Sequence, residues 1–317
     1  MGQAVLQLSL NDIEKIIQHY TNKKINRNAP GVVFAAKLPT VAITVYKSGK
    51  VLFQGTDALV EASRWGSVQT NSTSSTTSPT QKTKGDTLPA NFEKYSVIGS
   101  DETGTGDYFG PVTVAAVYVP AAKIELLQEL GIKDSKMLTD EKMLLIADDI
   151  KAICPHSVLV LRNVKYNTVQ QKGWSQGKIK ALLHNKALIH VLNKIAPTVP
   201  DYILIDQFAE RDVYYRHIQK EKEIVRDKVL FSTKAEQLHI AVAAASILAR
   251  VAFLKEMDNI SKEMNITIPK GASKIVDEIA AKILLTKGEQ ALQNVTKWHF
   301  ANTEKAKRIA ASKKNAR

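Results

Sequence analysis

Two adjacent carboxylates, Asp101 and Glu102, follow the strand-like apolar run Val97–Ile98, and the glycine-rich turn Gly104-Thr105-Gly106 follows them at once. Asp206 ends a second buried-strand run, Tyr202–Ile205. Glu236 stands in Ser232-Thr-Lys-Ala-Glu236, at the start of a long helix rich in small residues. Carboxylates at the ends of buried strands repel one another and are costly to desolvate, and a cation between them relieves both. Ligand sites in open α/β sheets gather at such carboxyl ends. Oxygen-only donors suit Mg²⁺ or Mn²⁺ rather than Zn²⁺, and four acids can hold two ions roughly 3.5–4 Å apart. One ion then lowers the pKa of a water and aims it at phosphorus, while the other stabilises the departing oxygen. A glycine-rich backbone beside the acids lets a bulky substrate approach closely. The chemistry indicated is metal-dependent attack on a large phosphorylated substrate. Taken singly, each acid has a plainer reading: a strand-end Asp forms turns, and a first-turn Glu suits the helix dipole. The adjacent pair is what demands a reason.

Composition points the same way. The 317 residues carry a net charge of +13 and a pI near 9.5. An excess of this size implies nucleic acid, a membrane surface or a similar polyanion, unless the lysines are only solvated. A basic protein with an acidic centre fits a plan in which lysines hold the polyanion and metals screen the acids from it. Cys154 is the single cysteine, so there is no internal disulfide and no cysteine-based zinc cluster, and a reducing compartment fits. Met1 to Leu10 alternate apolar and polar residues. With no signal peptide and no membrane-length apolar stretch, the cytoplasm is expected, with no membrane partner.

The elements that must position these residues fall into two units. Residues 1–65 read as a small α+β domain: a strand over Ala4–Leu8, a helix capped by Ser9 or Asn11 with Ile13, Ile16, Ile17 and Tyr20 on one face, then strands over Val32–Ala36, Val41–Tyr46 and Val51–Gln54 and a short helix from Asp57 to Trp65. Residues 66–90 read as a flexible linker, since Gln69 to Thr87 is nearly all Ser, Thr, Gln, Lys and Gly. Residues 91–317 alternate strands (Ser96–Gly99, Val112–Val119, Ser157–Leu161, Tyr202–Ile205, Val229–Phe231) with helices (Ala121–Leu130, Asp140–Ala152, Gly177–Ile195, Arg211–Lys222, Ala235–Met257, Ile275–Leu285, Gly288–Lys297). This alternation predicts an α/β sheet with helices on both faces. The segment from Lys305 to Arg317 reads as a frayed helix or basic tail.

The residues Asp101-Glu-Thr-Gly-Thr-Gly-Asp-Tyr-Phe-Gly-Pro111, Lys133-Asp-Ser-Lys136, Ile205-Asp-Gln-Phe208, Ser232-Thr-Lys-Ala-Glu236 and Ala243-Ala-Ala-Ser-Ile-Leu-Ala-Arg250 resemble the type 2 ribonucleases H, most closely ribonuclease HIII. They occur in the family's order and span most of residues 95–305. Thr105, where ribonuclease HII typically has Arg, favours HIII, and residues 1–65 are similar to the TATA-binding-protein-like domain of HIII. The resemblance implies a ribonuclease-H-like mixed sheet flanked by helices and a four-acid site. Asp101, Glu102, Asp206 and Glu236 are then catalytic and metal-binding, with Glu236 at a position that is Asp in many relatives. It further implies two divalent ions, Mg²⁺ or Mn²⁺, an RNA/DNA hybrid as substrate, and cutting of the RNA strand to leave 5′-phosphate and 3′-hydroxyl ends. Only the 2′-hydroxyl separates RNA from DNA at a given site, and Gly104, Thr105 and Gly106 are placed to read it by backbone, although a tight turn alone would use the same residues. Ser135 and Lys136 become phosphate contacts, where the bare sequence allows a solvated turn.

Away from these acids, Lys178, Lys180 and Lys186 on the helix Gly177–Ile195 either track the hybrid backbone or form a solvated face. Trp174 either stacks on a base or packs in the core. His184, His239 and His299 lack metal-ligand spacing and are assigned structural roles. Lys15, Lys23, Lys24, Arg27, Lys37, Lys47 and Lys50 make the N-terminal sheet a candidate phosphate-binding surface. Three alternatives stay open: HII-like cutting at single ribonucleotides in DNA, a non-catalytic hybrid binder, and a DNA nuclease such as a resolvase or transposase. A monomer is expected.

Overall fold

Alternating β-branched and aromatic residues build a first antiparallel sheet. Its strands are β1 (Gly2–Gln7), β2 (Val32–Lys37), β3 (Val41–Tyr46) and β4 (Lys50–Gly55), in the order β1-β4-β3-β2. A computed structural model of the chain describes residues 2–26, 32–66, 85–132 and 138–315. Helix α1 (Leu10–Tyr20) starts where the Ser9 hydroxyl accepts the Asp12 amide, and it buries Ile13, Ile16 and Tyr20 against the sheet. Helix α2 (Ala58–Ser63) closes the unit, burying Ala58 and Ala62. All six predicted elements of this unit are therefore found, shifted by a residue or two at their ends.

The second sheet is mixed. Its strands β5 (Val97–Thr103), β6 (Val112–Val119), β7 (His156–Leu161), β8 (Tyr202–Asp206) and β9 (Val229–Ser232) run in the order β7-β6-β5-β8-β9. β5 pairs antiparallel with β6 and parallel with β8, and β8 pairs parallel with β9. Between them the chain forms α3 (Ile124–Glu129), α4 (Asp140–Ile153), α5 (Asn163–Gln171), α6 (Gln176–Ile195) and α7 (Arg211–Ile218). After β9 come α8 (Ile240–Met264), α9 (Lys274–Lys287), α10 (Glu289–Val295) and α11 (Ala301–Asn315). Two cores sandwich the sheet. Val97, Val117 and Leu204 pack on α8 and α4, while Ile98, Ala116, Ile203 and Ile205 pack on α6 and α7. Helix α8 lies hard against β5: a Cβ on Gly99 would stand 2.2 Å from the Ala241 carbonyl carbon, so only glycine permits the contact.

Several expectations shift. The expected helix Ala235–Met257 is broken. Lys234 takes a left-handed φ of 57°, residues 235–237 form a single tight turn, and His239 is extended and caps α8 by accepting the Ala241 amide on Nδ1. Glu236 thus lies in that turn, ahead of the helix. Helix α5 escaped the sequence reading because its inward positions include Asn163 and Asn167, whose amides bond the carbonyls of Gly110 and of Gln293 and Thr296. Helix α11 is docked on α9 with Ala306 and Ala310 buried. Most of the expected linker lies outside the described residues. Within its C-terminal end, Gly85 bridges Ser232, and Asp86 exchanges hydrogen bonds with Phe231, so this end adds to β9 instead of running free.

The two sheets meet through the β3–β4 turn. Ser48 donates to Asp149 at 2.8 Å, Lys50 donates to the Leu130 carbonyl, and Tyr46 and Leu52 join the core formed with α3 and α4. Lys50 is therefore a domain contact rather than a surface cation, and burial lowers its pKa. Lys15 pairs with Asp12, and Arg27 lies outside the described residues.

Candidate active site

Asp101 and Glu102 lie inside β5, opposite Ala115 and Val114 of β6, rather than after the strand. The parallel pairing of β5 with β8 stops one step earlier, at Ser100 and Ile205. Asp101 and Asp206 are thus neighbours at the point where two parallel strands part, the position at which α/β sheets open a crevice. Successive side chains of a strand point to opposite faces. Val97, Gly99 and Asp101 accordingly turn toward α8, and Ile98, Ser100 and Glu102 toward α6. The adjacent acids are divided between two environments.

Asp101 is 9% exposed. Its Oδ1 accepts the Glu102 amide at 2.7 Å, and the Ser246 hydroxyl of α8 bonds to it. Burial raises its pKa well above the usual carboxylate range, the charges of Glu102 and Asp206 add to the rise, and the two hydrogen bonds oppose it. Asp206 accepts the Ala235 amide at 2.9 Å. Burial also raises its pKa, with Glu236 and Glu102 adding to the rise.

Glu102 behaves in the opposite way. Burial pushes its pKa up, but His184 and Lys180 outweigh burial and hold it below the usual value. His184 Nε2 meets Oε2 at 2.9 Å, and Lys180 Nζ meets Oε1 at 2.9 Å. His184 is fully buried, and its Nδ1 lies 2.6 Å from Ser100 Oγ. The Lys180 ammonium stands 4.2 Å over the Phe208 ring, which also packs on His184. Lys180 is thus no solvated cation, and His184 has a polar task beyond packing. Their spacing was the available signal: residues four apart on a helix share a face, and that face of α6 looks onto the sheet.

A cleft of about 530 Å³ gathers Asp101, Glu102, Gly104, Thr105, Gly106, Asp206 and Glu236. Thr103, Asp107, Met143, Lys234, Ser246 and Arg250 complete its walls. Ser135 and Lys136 fall outside the described residues. Gly104 has φ +94°, and a Cβ there would meet the Pro111 carbonyl at 2.3 Å, so the glycine is required by backbone packing. Gly106 is exposed, with open space where a Cβ would be. The Thr105 carbonyl accepts Gln176 Nε2 at 3.1 Å. Arg250 forks onto Asp140, which Lys270 also reaches.

Among the described residues, no three acidic, histidine or cysteine side chains converge into a finished metal cage. The donor chemistry nevertheless fits a hard cation. The candidate ligands are all carboxylate oxygens, and Asp101 and Asp206 are pushed above their usual pKa by burial and by acidic neighbours, a rise that a positive charge would relieve.

His239 keeps the structural role expected of it. Its Nε2 meets the Tyr95 carbonyl at 3.1 Å, and burial lowers its pKa to about 4. Trp174 packs with Val112, Tyr166 and Ile179 under Lys178, whose ammonium is 4.6 Å from the ring centroid.

Comparison with known proteins places this geometry. The family model described as Ribonuclease HII matches residues 98–303, and one described as Domain of unknown function (DUF3378) matches residues 3–78. Ribonuclease HIII of Lysinibacillus sphaericus (strain C3-41) is 59% identical over 309 residues, covering 98% of this chain and 100% of the relative. Ribonuclease HIII of Bacillus subtilis (strain 168) is 49% identical over 315 residues, covering 99% and 100%. Among solved structures, Bst-RNase HIII in complex with Mn²⁺ is similar with a TM-score of 0.69 at 43% identity, covering 98% of this chain and 100% of that one. Aquifex aeolicus RNase H3, at 24% identity and a TM-score of 0.52, shares the fold. With both of its parts matched and relatives aligned end to end, the chain belongs to the ribonuclease HIII family.

Proposed function

We propose that the chain cuts the RNA strand of RNA/DNA hybrids in the β5–β8 cleft, leaving 5′-phosphate and 3′-hydroxyl ends, with Asp101, Glu102, Asp206 and Glu236 holding two divalent cations. It is a metal-dependent ribonuclease H endonuclease, and Mg²⁺ or Mn²⁺ is its cofactor. The observation that carries the assignment of residues is the crowding of buried carboxylates where β5 and β8 part, since Asp101 and Asp206 are both pushed upward by burial and by their acidic neighbours. When bound, the cations supply a water acidic enough to attack phosphorus and positive charge against the departing oxygen.

The remaining work falls to the chain. Ser246 and the Glu102 amide fix the Asp101 carboxylate, and the Ala235 amide fixes Asp206. Lys180 and His184 orient Glu102 from the α6 side. The exposed Gly106 backbone lets a ribose approach without a side chain in the way, and a 2′-hydroxyl bonded there separates RNA from DNA. Ser135 and Lys136 hold a substrate phosphate. The lysines of the first sheet, Lys50 excepted, add phosphate contacts that fade with salt. Among the described residues, no helix is long and apolar enough to cross a membrane. A cytoplasmic monomer is the state in which we place the enzyme, and its single cysteine, the buried Cys154, fits a reducing compartment.

The test uses three labelled duplexes: a continuous RNA/DNA hybrid, DNA with one embedded ribonucleotide, and plain DNA. Each is incubated with Mg²⁺ or Mn²⁺, beside an Asp101→Asn control. The expected result is cutting of the continuous hybrid, little at the single ribonucleotide, and none by Asp101→Asn, which still binds. Preferential cutting at the single ribonucleotide, or full activity in Asp101→Asn, would overturn the reading.

A further inference from the structure

Lys297 has no solvent exposure at all. Its Nζ donates to the carbonyls of Asp107 and Gly110, each at 2.7 Å, and stands 5.9 Å from the Tyr166 ring centroid. Asn163 Nδ2 reaches the same Gly110 carbonyl at 2.9 Å. The backbone around the lysine is laced to the same loop. The Lys297 amide donates to Tyr108 O at 2.8 Å, the Gly110 amide donates to Val295 O at 3.0 Å, and Phe109 bridges Thr296. On the other side, the Gly271 amide donates to Asp107 Oδ1 at 2.6 Å, and Tyr108 Oη lies 3.0 Å from Thr303 Oγ1 on α11.

A buried lysine is an expensive way to fill volume, because its nitrogen must be desolvated. Methionine or leucine would fill the same space. What a lysine adds is a set of N–H donors on a long stem, here directed at two backbone carbonyls that the local strand pairing leaves over. Burial lowers its pKa to about 7, but a neutral amine still carries two N–H groups, so the contacts do not depend on its charge. The loop it grips is the segment that follows the Gly104–Gly106 turn. That turn is anchored at its start by Gly104 against Pro111 and at Thr105 by Gln176, which leaves Gly106 open.

We propose that Lys297 is a positioning residue for ribose recognition: by clamping the backbone at Asp107 and Gly110 it holds the Gly104–Gly106 turn at the height where its peptide groups meet a 2′-hydroxyl. The inference rests on the reading of that turn as the ribose reader. It also gives the C-terminal segment a task, since residues 295–303 carry the clamp into the cleft from a region that contributes no wall to it.

The experiment compares wild type with Lys297→Met, which keeps the length and removes the donors, and with Asn163→Ala, which removes only the second donor to Gly110. Equilibrium binding of a short RNA/DNA hybrid and of a DNA duplex of the same sequence is measured by fluorescence anisotropy in EDTA, beside thermal melting of each protein. The expected result is a preference for the hybrid that falls by about ten-fold in Lys297→Met and less in Asn163→Ala, with DNA-duplex affinity little changed and melting lowered by the carbonyls left unpaired, because a site that bonds a hydroxyl discriminates only while its partners stay in place. An unchanged preference in folded Lys297→Met overturns the clamp. If that variant does not fold, an unchanged preference in Asn163→Ala does so instead. Absence of any preference in wild type removes the ribose reading of the turn, and the clamp's proposed purpose with it.

Discussion

The Glu102 carboxylate and the buried His184 ring meet at 2.9 Å across 82 residues of chain, and Ser100 holds the far nitrogen of that ring. The contact joins the end of β5 to the middle of α6, and it leaves Glu102 with a lowered pKa where those of Asp101 and Asp206 are raised. His184→Ala should remove this orientation while leaving the substrate surface intact. Partners that orient metal-binding carboxylates cost about 10–100-fold in affinity or activity when lost. Initial cutting rates should fall within that range, with hybrid binding in EDTA unchanged. An equal loss in both would instead show that α6 had been displaced.

Lys180 competes with any cation for Glu102, since its ammonium lies 2.9 Å from Oε1. Lys180→Gln leaves the acidic group more negative. Calorimetric titration should therefore show tighter Mn²⁺ binding, by about ten-fold, from the lost like-charge repulsion. Unchanged binding would mean that the ammonium does not oppose the cation, and weaker binding that its orienting of Glu102 outweighs the repulsion.

The glycine-rich turn separates into a structural and a functional glycine. In Gly104→Ala the Cβ would lie 2.3 Å from the Pro111 carbonyl oxygen and 2.9 Å from the Phe253 ring, at φ +94°. Strain and overpacking of this kind cost about 3 kcal/mol, which a denaturant melt would register. Gly106→Ala meets nothing within 4 Å, so its melt should match wild type. Any activity it loses then reports on the approach of substrate to the turn.

His239 makes stability depend on pH. Burial lowers its folded-state pKa from 6.5 to about 4, so the folded protein resists a proton that the unfolded chain accepts. Stability from this group is whole above pH 6.5 and is lost as pH falls toward 4, a change of about 3 kcal/mol. His239→Asn keeps a capping side chain and has no such titration. The difference in unfolding free energy between variant and wild type should shift in the variant's favour across that window. A constant difference would mean the ring is not held neutral.

Much of the protein was legible in the linear chain because its signals are local. Apolar alternation or continuous apolar runs marked the strands of both sheets, and Ser9 marked the start of α1. The order of the motifs from Asp101 to Arg250 marked the family. The acids Asp101, Glu102, Asp206 and Glu236 were visible as acids placed beside buried runs, and the structure brings them to one cleft. Other features were illegible because they depend on what lies across space. The direction each acid faces follows from the strand's two-residue period once α8 and α6 occupy opposite sides of β5. The partners of Glu102 come from a helix whose lysines looked solvated in isolation. The buried Asn163, Asn167 and Lys297 look like surface residues until the carbonyls they satisfy are known. Residue types and short-range spacing decided the elements and the chemistry on offer; only packing, by choosing which polar atoms lose water together, decided which of these groups became partners.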